Sequence, residues 1–291
     1  MPENNKILIV GAMGFLGQTL AQFAPSEWEC VWGSRRGHGH IPIDLTDGRS
    51  VASTLASVRP KWVINTAAMT SVDGCERDPD QARTVHVTGT EYLVRACEEA
   101  DCGLITLSTN YVFDGESGLY HEGDLPNPPN VYGQTKLEGE ARVLAADCRG
   151  IVIRTAVLYG HRPGSRPNFV TWAIGALEKG ETLRVVTDEW SNPTYVNDLS
   201  SFIWGLCHSD FEGVVHYAGR DFLTRYEMVM HICNRFGFDI DRVIPTTSAS
   251  FGQPAKRPLR AGLCTELAQS LSESRPTRFD DALSEIQKAI H

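Results

Sequence analysis

The sequence lacks several features that would place it in a special class of protein. Among its 291 residues, no apolar run reaches the roughly 18 residues that a membrane-spanning helix needs. Its eight cysteines form no C-x-x-C pair, and no histidine stands at zinc-ligand spacing from a cysteine pair. We therefore expect no metal site, and free thiols in a reducing compartment rather than a disulfide framework.

Positive charge is also scarce. The formal net charge is −9, so the sequence lacks the excess of basic residues that binding to a nucleic-acid backbone requires. The polar segment before the first apolar run shows no secretory signal pattern. With 42% hydrophobic and 22% charged residues, the composition is that of an ordinary globular protein. These features predict a cytoplasmic protein that binds neither nucleic acid nor a membrane.

The first half of the chain alternates short apolar segments with longer amphipathic ones. The apolar segments predict buried strands, and the amphipathic stretches between them predict helices. This repeated order is typical of an α/β fold with a doubly wound parallel sheet of the Rossmann type. Strands are predicted at 6–10, 30–32, 62–64, 104–107 and 151–153, and helices at 15–23, 81–100 and 131–146.

The pattern changes after Gly160. Proline, glycine and serine predict a loop at 161–167, and a helix follows at 168–177. A later segment near 183–218 is predicted to return to the sheet through the apolar residues 214–217. From Leu223 onward the chain is predicted to be mostly helical, with a loop at 245–258 and a last helix at 280–290.

These patterns divide the chain in two. Residues 1–160 are predicted to form a Rossmann domain, together with the later segment that returns to it. Residues 161–291 are predicted to form a smaller, mainly helical substrate-binding lobe. We expect this lobe to cap the C-terminal edge of the sheet, where α/β folds bind their ligands.

A glycine-rich turn follows the first predicted strand and opens the first helix. Glycines in a G-x-x-G-x-x-G pattern let the backbone turn tightly and approach a pyrophosphate that rests on the helix N-terminus. In this strand–turn–helix setting the pattern predicts a dinucleotide site. The predicted cofactor contacts from this turn are Gly11, Met13, Gly14, Phe15, Leu16 and Gly17.

The end of the second predicted strand distinguishes NADP from NAD. NAD sites usually place an acidic residue there to bind the ribose 2′-hydroxyl. This chain has Ser34, Arg35 and Arg36 instead, and two guanidinium groups with a hydroxyl suit a 2′-phosphate. The alternative is that both arginines are solvated loop charges. We predict NADP(H) as the cofactor.

A tyrosine and a lysine lie four residues apart, at Tyr132 and Lys136, on one face of a predicted helix that Asn130 caps. The ammonium is expected to favour the phenolate and to lower the tyrosine pKa from its ordinary value of about 10. The fourth strand ends in Ser108 and Thr109, whose hydroxyls would orient a substrate carbonyl. A Y-x-x-x-K pattern alone is more often a surface pair. Together with the glycine turn, it indicates hydride chemistry at a carbonyl.

These motifs resemble those of extended short-chain dehydrogenases/reductases, and more narrowly the dTDP-4-dehydrorhamnose reductase family. The resemblance extends over nearly the whole chain. It implies that NADPH reduces a 4-keto-6-deoxy sugar nucleotide, and it raises a homodimer as an assembly. Besides the glycine turn, it rests on residues 65–73 with Glu76, 108–115, 130–136, 154–155 with 158–160, 192–195 with 198–199, and Arg257-Pro258.

The resemblance also implies roles for individual residues. Thr109 would polarise the sugar C4 carbonyl with help from Ser108, and Tyr132 would donate the proton. Lys136 would hold the nicotinamide ribose and tune the tyrosine. Tyr132, Lys136, Asp44, Leu45, Ala67 and Ala68 complete the predicted cofactor contacts. The predicted substrate contacts are Ser108, Asn110, Tyr111, Val112, Asn192, Pro193 and Thr194.

Three positions depart from the family pattern. Asn110 replaces an aspartate, Val157 replaces a tryptophan expected beside the sugar, and His86 replaces an asparagine. We expect His86 to be a helix residue near the cofactor rather than a catalytic group. Sugar-nucleotide dehydratases use an acidic pair after the catalytic threonine, which Asn110-Tyr111 cannot supply. The two arginines disfavour an epimerase, because epimerases keep NAD bound.

A regulatory protein is the second hypothesis. The regulatory beta subunit of methionine adenosyltransferase belongs to the same branch, binds NADP and docks on another enzyme. Residues 111–115, 216–219 and 224–227 resemble it. The C-terminal tail of that subunit inserts into its partner, whereas this chain ends soon after the helix predicted at 280–290. We favour the reductase.

Overall fold

The structure is a computed structural model that describes residues 5–37, 39–272 and 275–290. The polar opening segment of the sequence lies mostly outside the described residues. The helices are α1 Phe15–Gln22, α2 Gly48–Val58, α3 Val72–Arg77, α4 Pro79–Arg83, α5 Gly89–Ala100, α6 Val131–Leu144, α7 Phe169–Glu178, α8 Val196–Leu206, α9 Arg225–Phe236, α10 Glu266–Leu271 and α11 Phe279–Ile290.

The strands are β1 Lys6–Val10, β2 Glu29–Ser34, β3 Ile41–Pro42, β4 Trp62–Asn65, β5 Gly103–Thr109, β6 Gly118–Tyr120, β7 Gly150–Thr155, β8 Leu158–Tyr159, β9 Leu183–Val186, β10 Trp190–Ser191, β11 Thr194–Tyr195, β12 Gly213–His216, β13 Leu223–Thr224, β14 Val243–Thr246 and β15 Ala261–Leu263. None of the described helices combines the length and the apolar character that crossing a membrane would take.

A seven-stranded parallel sheet forms the centre of the molecule. Its strand order is β3-β2-β1-β4-β5-β7-β12, with the order reversing beside β1. The inner strands are apolar along their length because helices cover both faces of the sheet. The predicted α/β fold with a doubly wound Rossmann sheet is confirmed.

Successive residues of β1 point into two separate cores, as the two-residue period of a strand requires. Ile7 and Ile9 pack in one core with residues of α1 and α8, including Leu20 and Phe202. Leu8 and Val10 pack in the other core, which contains residues of α2, α5 and α6. Strand β1 is therefore buried on both faces up to the start of the glycine turn.

The segment that returns to the sheet is shorter than predicted. Strand β12 pairs with β7, and α8 packs against α1, so residues 196–216 include the returning part. Strand β9 pairs with β14 outside the central sheet. Within the segment predicted near 183–218, β12 therefore joins the central sheet and β9 does not. The boundaries of the two predicted domains stay a prediction.

A third apolar core lies mainly after Gly160 and is built largely from α7, α9 and α11. Two-stranded pairs accompany these helices: β9 with β14, β10 with β13, β8 with β11, and β6 with β15. The last two pairs each join a strand of the first 160 residues to a later one. These pairs position the later segments at the C-terminal edge of the central sheet.

The helix predicted at 81–100 is interrupted by one wide π-turn, Thr84–Thr88, between α4 and α5. The carbonyl of His86 accepts a hydrogen bond from the Thr90 hydroxyl and faces α6. A Cβ at Gly139 of α6 would lie only 2.5 Å from that carbonyl oxygen. Glycine at this position therefore lets α6, which carries the Y-x-x-x-K pair, pack closely against the turn.

Candidate active site

Two glycines of the turn after β1 are required by its geometry. Gly11 has a φ of +87°, and a Cβ there would lie 2.7 Å from Thr66 Oγ1. A Cβ at Gly17 would lie 2.4 Å from the Gly11 carbonyl oxygen. Gly14 is the N-cap of α1, and no side chain caps this helix. The amide groups of the first turn therefore remain available to an anionic group of a ligand.

The other predicted cofactor residues differ in exposure. Met13 is 54% exposed at the turn, whereas Leu16 is buried in the core and can offer only its backbone. Ala67 and Ala68 follow β4, and the close approach of Gly11 to the Ala67 amide places them beside the turn. The structure thus brings the residues that follow β4 beside the glycine turn that follows β1.

Asp44 and Leu45, shortly after β3, have structural partners of their own. The Asp44 carboxylate accepts hydrogen bonds from the amide and the hydroxyl of Thr46. Leu45 is buried, and the absent side chain of Gly89 leaves room for it. Their contacts with a cofactor stay a prediction.

The residues predicted to select NADP lie at the end of β2. Ser34 is buried, and its hydroxyl donates to the Gly37 carbonyl at 3.1 Å, so it is already used by the turn. Arg35 and Arg36 are exposed. Within the described part of the chain, neither guanidinium group has an acidic partner. Both arginines can therefore reach a phosphate.

Thr109 and Tyr132 meet at the C-terminal end of β5. Thr109 is buried, and its Oγ1 accepts a hydrogen bond from the Tyr111 amide at 3.1 Å. The Tyr132 hydroxyl is within hydrogen-bonding reach of the Thr109 side chain. The Asn130 side chain caps α6 by accepting from the Gly133 amide at 2.9 Å, as predicted. A Cβ at Gly133 would lie 2.1 Å from the Tyr111 carbonyl oxygen, which explains how closely α6 begins beside β5.

The Tyr132 pKa is raised in this structure, contrary to the predicted lowering. Burial raises the pKa of Tyr132 to about 12, and the hydrogen bond with Thr109 opposes this only in part. Burial lowers the pKa of Lys136 to about 8, against the attraction of Glu140. The Lys136 Nζ donates to the Leu107 carbonyl at 2.5 Å. Tyr132 is therefore a protonated phenol at neutral pH.

His86 holds two parts of this site together. Its Nε2 accepts a hydrogen bond from the Met69 amide at 3.0 Å, and its Nδ1 lies 2.8 Å from Thr135 Oγ1. The ring stands edge-on to Tyr132 at a centroid distance of 5.7 Å. Burial, together with the charge of Lys136, lowers the pKa of His86 to about 3, so the ring is neutral. His86 thus positions the segment after β4 against α6.

Three residues predicted to contact substrate have side chains that bond or pack within the protein instead. The Ser108 hydroxyl donates to the buried carboxylate of Glu140, which is also paired with Arg154. Val112 has no exposed surface and packs in a small apolar core. Thr194 is fully buried, and its hydroxyl donates to the Ala156 carbonyl at 2.7 Å. We therefore no longer assign these three side chains to substrate.

Asn110 and Asn192 both hold strand β15. The Asn110 amide group donates to the Ala261 carbonyl at 2.7 Å, and the Asn192 side-chain oxygen accepts from the Leu263 amide at 2.8 Å. Pro193 is buried, and its carbonyl oxygen would lie 1.8 Å from a Cβ at Gly219. These residues are better described as supports of the site wall than as direct contacts.

A charged group near Tyr111 was not predicted. Arg225 interacts with the Tyr111 hydroxyl and with the carboxylate of Glu189. Burial raises the pKa of Glu189, and Arg225 and Arg257 oppose that rise. Arg257 also forms a 2.9 Å ion pair with Asp73. Arg257 and Asp73 stand in segments that carry the reductase resemblance, and Arg225 stands in a segment that resembles the regulatory subunit. No sequence pattern singles out Glu189.

Val157 has strained backbone geometry beside the site. Its φ is +47°, in the left-handed region that β-branched residues rarely adopt. It follows β7, and its carbonyl accepts a hydrogen bond from the Thr194 amide at 3.1 Å. Strain of this kind persists where the surrounding structure enforces it, often at functional sites.

The fold and the site together define an oxidoreductase of the extended short-chain dehydrogenase/reductase class. The glycine turn lies at the C-terminal end of β1, and the Tyr132–Lys136 pair lies beside the end of β5 in the same parallel sheet. More narrowly, the chain belongs to the family described as RmlD substrate binding domain, which matches residues 5–291. The resemblance inferred from the motifs is confirmed.

Individual relatives agree with this assignment. The chain is 36% identical over 258 residues to the dTDP-4-dehydrorhamnose reductase of Streptomyces griseus, covering 86% of this chain and 83% of that protein. It is 30% identical to methionine adenosyltransferase 2 subunit beta of Bos taurus in an alignment of 292 positions, which covers 97% of this chain and 87% of that protein. The crystal structure of dTDP-4-dehydrorhamnose reductase from Bacillus anthracis in complex with NADP superposes with a TM-score of 0.91 at 26% identity, covering 99% and 100%.

Proposed function

We propose that this protein reduces the C4 ketone of a 4-keto-6-deoxy sugar nucleotide with NADPH, in the manner of a dTDP-4-dehydrorhamnose reductase. The observation that carries this proposal is the meeting of the Tyr132 hydroxyl with Thr109 at the C-terminal end of β5. Its support from relatives is the similarity to dTDP-4-dehydrorhamnose reductases over most of the chain. Cytoplasmic location and a homodimer stay predictions.

The residues of the turn after β1 fit a dinucleotide. Gly11 and Gly17 keep the turn free of side-chain atoms, and the uncapped N-terminus of α1 suits a pyrophosphate. The exposed guanidinium groups of Arg35 and Arg36 suit the 2′-phosphate of NADP. When bound, NADPH would supply the hydride that adds to the ketone carbon.

Tyr132 and Thr109 would handle the ketone oxygen. The Thr109 hydroxyl holds this oxygen toward Tyr132, and the phenol transfers its proton there as the new O–H bond forms. A phenol with a pKa near 12 keeps that proton at neutral pH until negative charge develops on the oxygen. The phenolate left behind then takes a proton from solvent. Lys136, with its pKa near 8, lies one helical turn further along the same face of α6.

A substrate panel tests the proposal. Purified protein is mixed with NADPH and a series of 4-keto sugar nucleotides, and loss of the reduced cofactor is followed by absorbance. We expect turnover with at least one member that carries a 4-keto-6-deoxy sugar. Tyr132→Phe serves as the inactive control and Tyr92→Phe as the matched active one, because the Tyr92 ring packs in the core between α5 and α2, beside Gly48.

The second candidate function is that of a regulatory subunit that binds NADP and docks on another enzyme. Its support is the match to the methionine adenosyltransferase 2 beta subunit over 97% of this chain. The two hypotheses give opposite results in the panel. A regulatory subunit would bind NADPH tightly, turn over no substrate and copurify with another enzyme. A reductase would oxidise the cofactor only when its substrate is present.

A further inference from the structure

Strands β6 and β15 bring three metal-binding side chains together outside the candidate active site. The strands pair in parallel with Tyr120 opposite Leu263, and the Cys264 amide donates to the Tyr120 carbonyl at 2.7 Å. His121 and Cys264 are the residues that follow this pair, so the ladder sets them side by side. Glu266 begins α10 two residues later.

The ligand atoms of these side chains already lie close together. One imidazole nitrogen of His121, the Cys264 sulfur and a Glu266 carboxylate oxygen are all within 4.8 Å of one another. Ligands of a tetrahedral zinc ion are about 3.5 Å apart, given bond lengths of about 2.0–2.3 Å. Rotamer adjustments of about 1 Å would therefore close the site around an ion.

The loop that carries His121 is itself held in place. The His121 amide donates to the Asp124 carboxylate at 2.8 Å, and the Asp124 amide donates back to the His121 carbonyl at 3.1 Å. Cys264 is a free, half-buried thiol. A cavity of about 300 Å³, lined in part by Cys264 and Glu266, adjoins the group and gives a metal ion a route of entry.

The donor set selects the type of metal. A thiolate, an imidazole and a carboxylate suit Zn²⁺, whereas Mg²⁺ and Ca²⁺ prefer oxygen ligands alone. Arg220 and Arg275 also line the cavity, and their charges repel a cation that only weak oxygen ligands hold.

We propose that His121, Cys264 and Glu266 form a zinc site with a fourth position open to water. The site ties β15 to β6. The side chains of Asn110 and Asn192 hold the same strand β15 through hydrogen bonds to its backbone. Bound zinc would therefore stiffen the wall of the cleft next to Thr109 without touching substrate. Cys75, which lies near Tyr132, takes no part in this site.

Metal binding can be measured directly on the full chain. The protein is stripped with a chelator and titrated with Co²⁺, whose bond to a thiolate gives an ultraviolet charge-transfer band. We expect the band at about one equivalent, its loss on adding Zn²⁺, and a rise in Tm of the zinc-loaded protein. Cys264→Ser should abolish the band and weaken zinc binding by more than about 100-fold. Cys148→Ser, which changes another half-buried thiol, should retain both.

A second variant keeps the test independent of folding defects. Glu266 is exposed, so Glu266→Gln should fold normally and still lose at least about tenfold in zinc affinity. The proposal is overturned if the wild type gives no cobalt band, or if Cys264→Ser binds Zn²⁺ as tightly as the wild type. None of these readouts requires turnover, so failure of the reductase proposal would leave them unchanged.

Discussion

The two sides of the candidate cleft use their residues differently. On the cofactor side, Gly11 and Gly17 act by lacking side chains, and their role follows from backbone geometry. On the substrate side, the Thr194 hydroxyl and the Asn192 side-chain oxygen form hydrogen bonds within the protein itself. A motif of glycines therefore defines a binding surface directly. A motif of polar residues near a cleft can instead define the wall that supports the surface.

The largest effect is expected at the point where the two sides meet. Tyr132→Phe removes the proton donor, and we expect kcat to fall by about 10²–10⁴-fold while NADPH affinity stays within a few-fold. Steady-state rates with the best substrate of the panel and a fluorescence titration of NADPH measure the two quantities. Near-normal turnover by this variant would refute the assignment of Tyr132 as acid.

The cofactor side can be tested by adding one methyl group. Gly17→Ala places a Cβ against the Gly11 carbonyl oxygen, so the turn or α1 must shift. We expect a loss of about 1–3 kcal/mol in the free energy of unfolding, together with weaker NADPH binding. Gly175→Ala is the matched control, because it lies in α7 and its Cβ would meet nothing within 4 Å. Equal urea denaturation midpoints for the two variants would contradict the argument.

On the substrate side, replacing Thr194 should change the stability of the protein rather than its affinity for substrate. Thr194→Val keeps the shape of the side chain and removes its hydrogen bonds to Ala156 and Thr155. We expect unfolding to become easier by about 1–2 kcal/mol, with KM for the sugar nucleotide unchanged. A raised KM with unaltered stability would restore Thr194 to the substrate contacts.

The smallest effect is expected at the exposed arginines. Replacing Arg35 and Arg36 together by alanine should reduce the preference for NADPH over NADH by about tenfold, because two charge-assisted contacts to the 2′-phosphate are lost. Arg49→Ala removes another exposed charge and serves as the control. If titrations give unchanged affinities for both cofactors, the two arginines are surface charges only.

Much of the fold could be predicted because the relevant signals are local. Strand β1 was predicted with its observed bounds, Lys6–Val10, since a doubly buried parallel strand is a plain apolar run. The helix at 81–100 was predicted as continuous because a π-turn keeps helical periodicity on both sides of it. The two-residue strands after Gly160 went unpredicted, because two residues are too few to show alternation.

The site was predictable only in part, for a similar reason. The Tyr132–Lys136 pair and the cap at Asn130 depend on residues close in sequence. The effect of burial on the Tyr132 pKa, the bond from Ser108 to Glu140 and the group around Arg225 depend on contacts between distant segments. The sequence indicates that Lys136 is near Tyr132, but the extent of burial, which raises the tyrosine pKa, is set by the folded structure.

A crystal structure with NADP⁺ and the reduced sugar nucleotide bound is the most direct test. We predict that the Tyr132 hydroxyl and Thr109 Oγ1 both lie within hydrogen-bonding distance, about 3 Å, of the oxygen on sugar C4. A complex in which that oxygen lies beyond reach of Tyr132, or in which the sugar occupies another part of the molecule, would contradict the account.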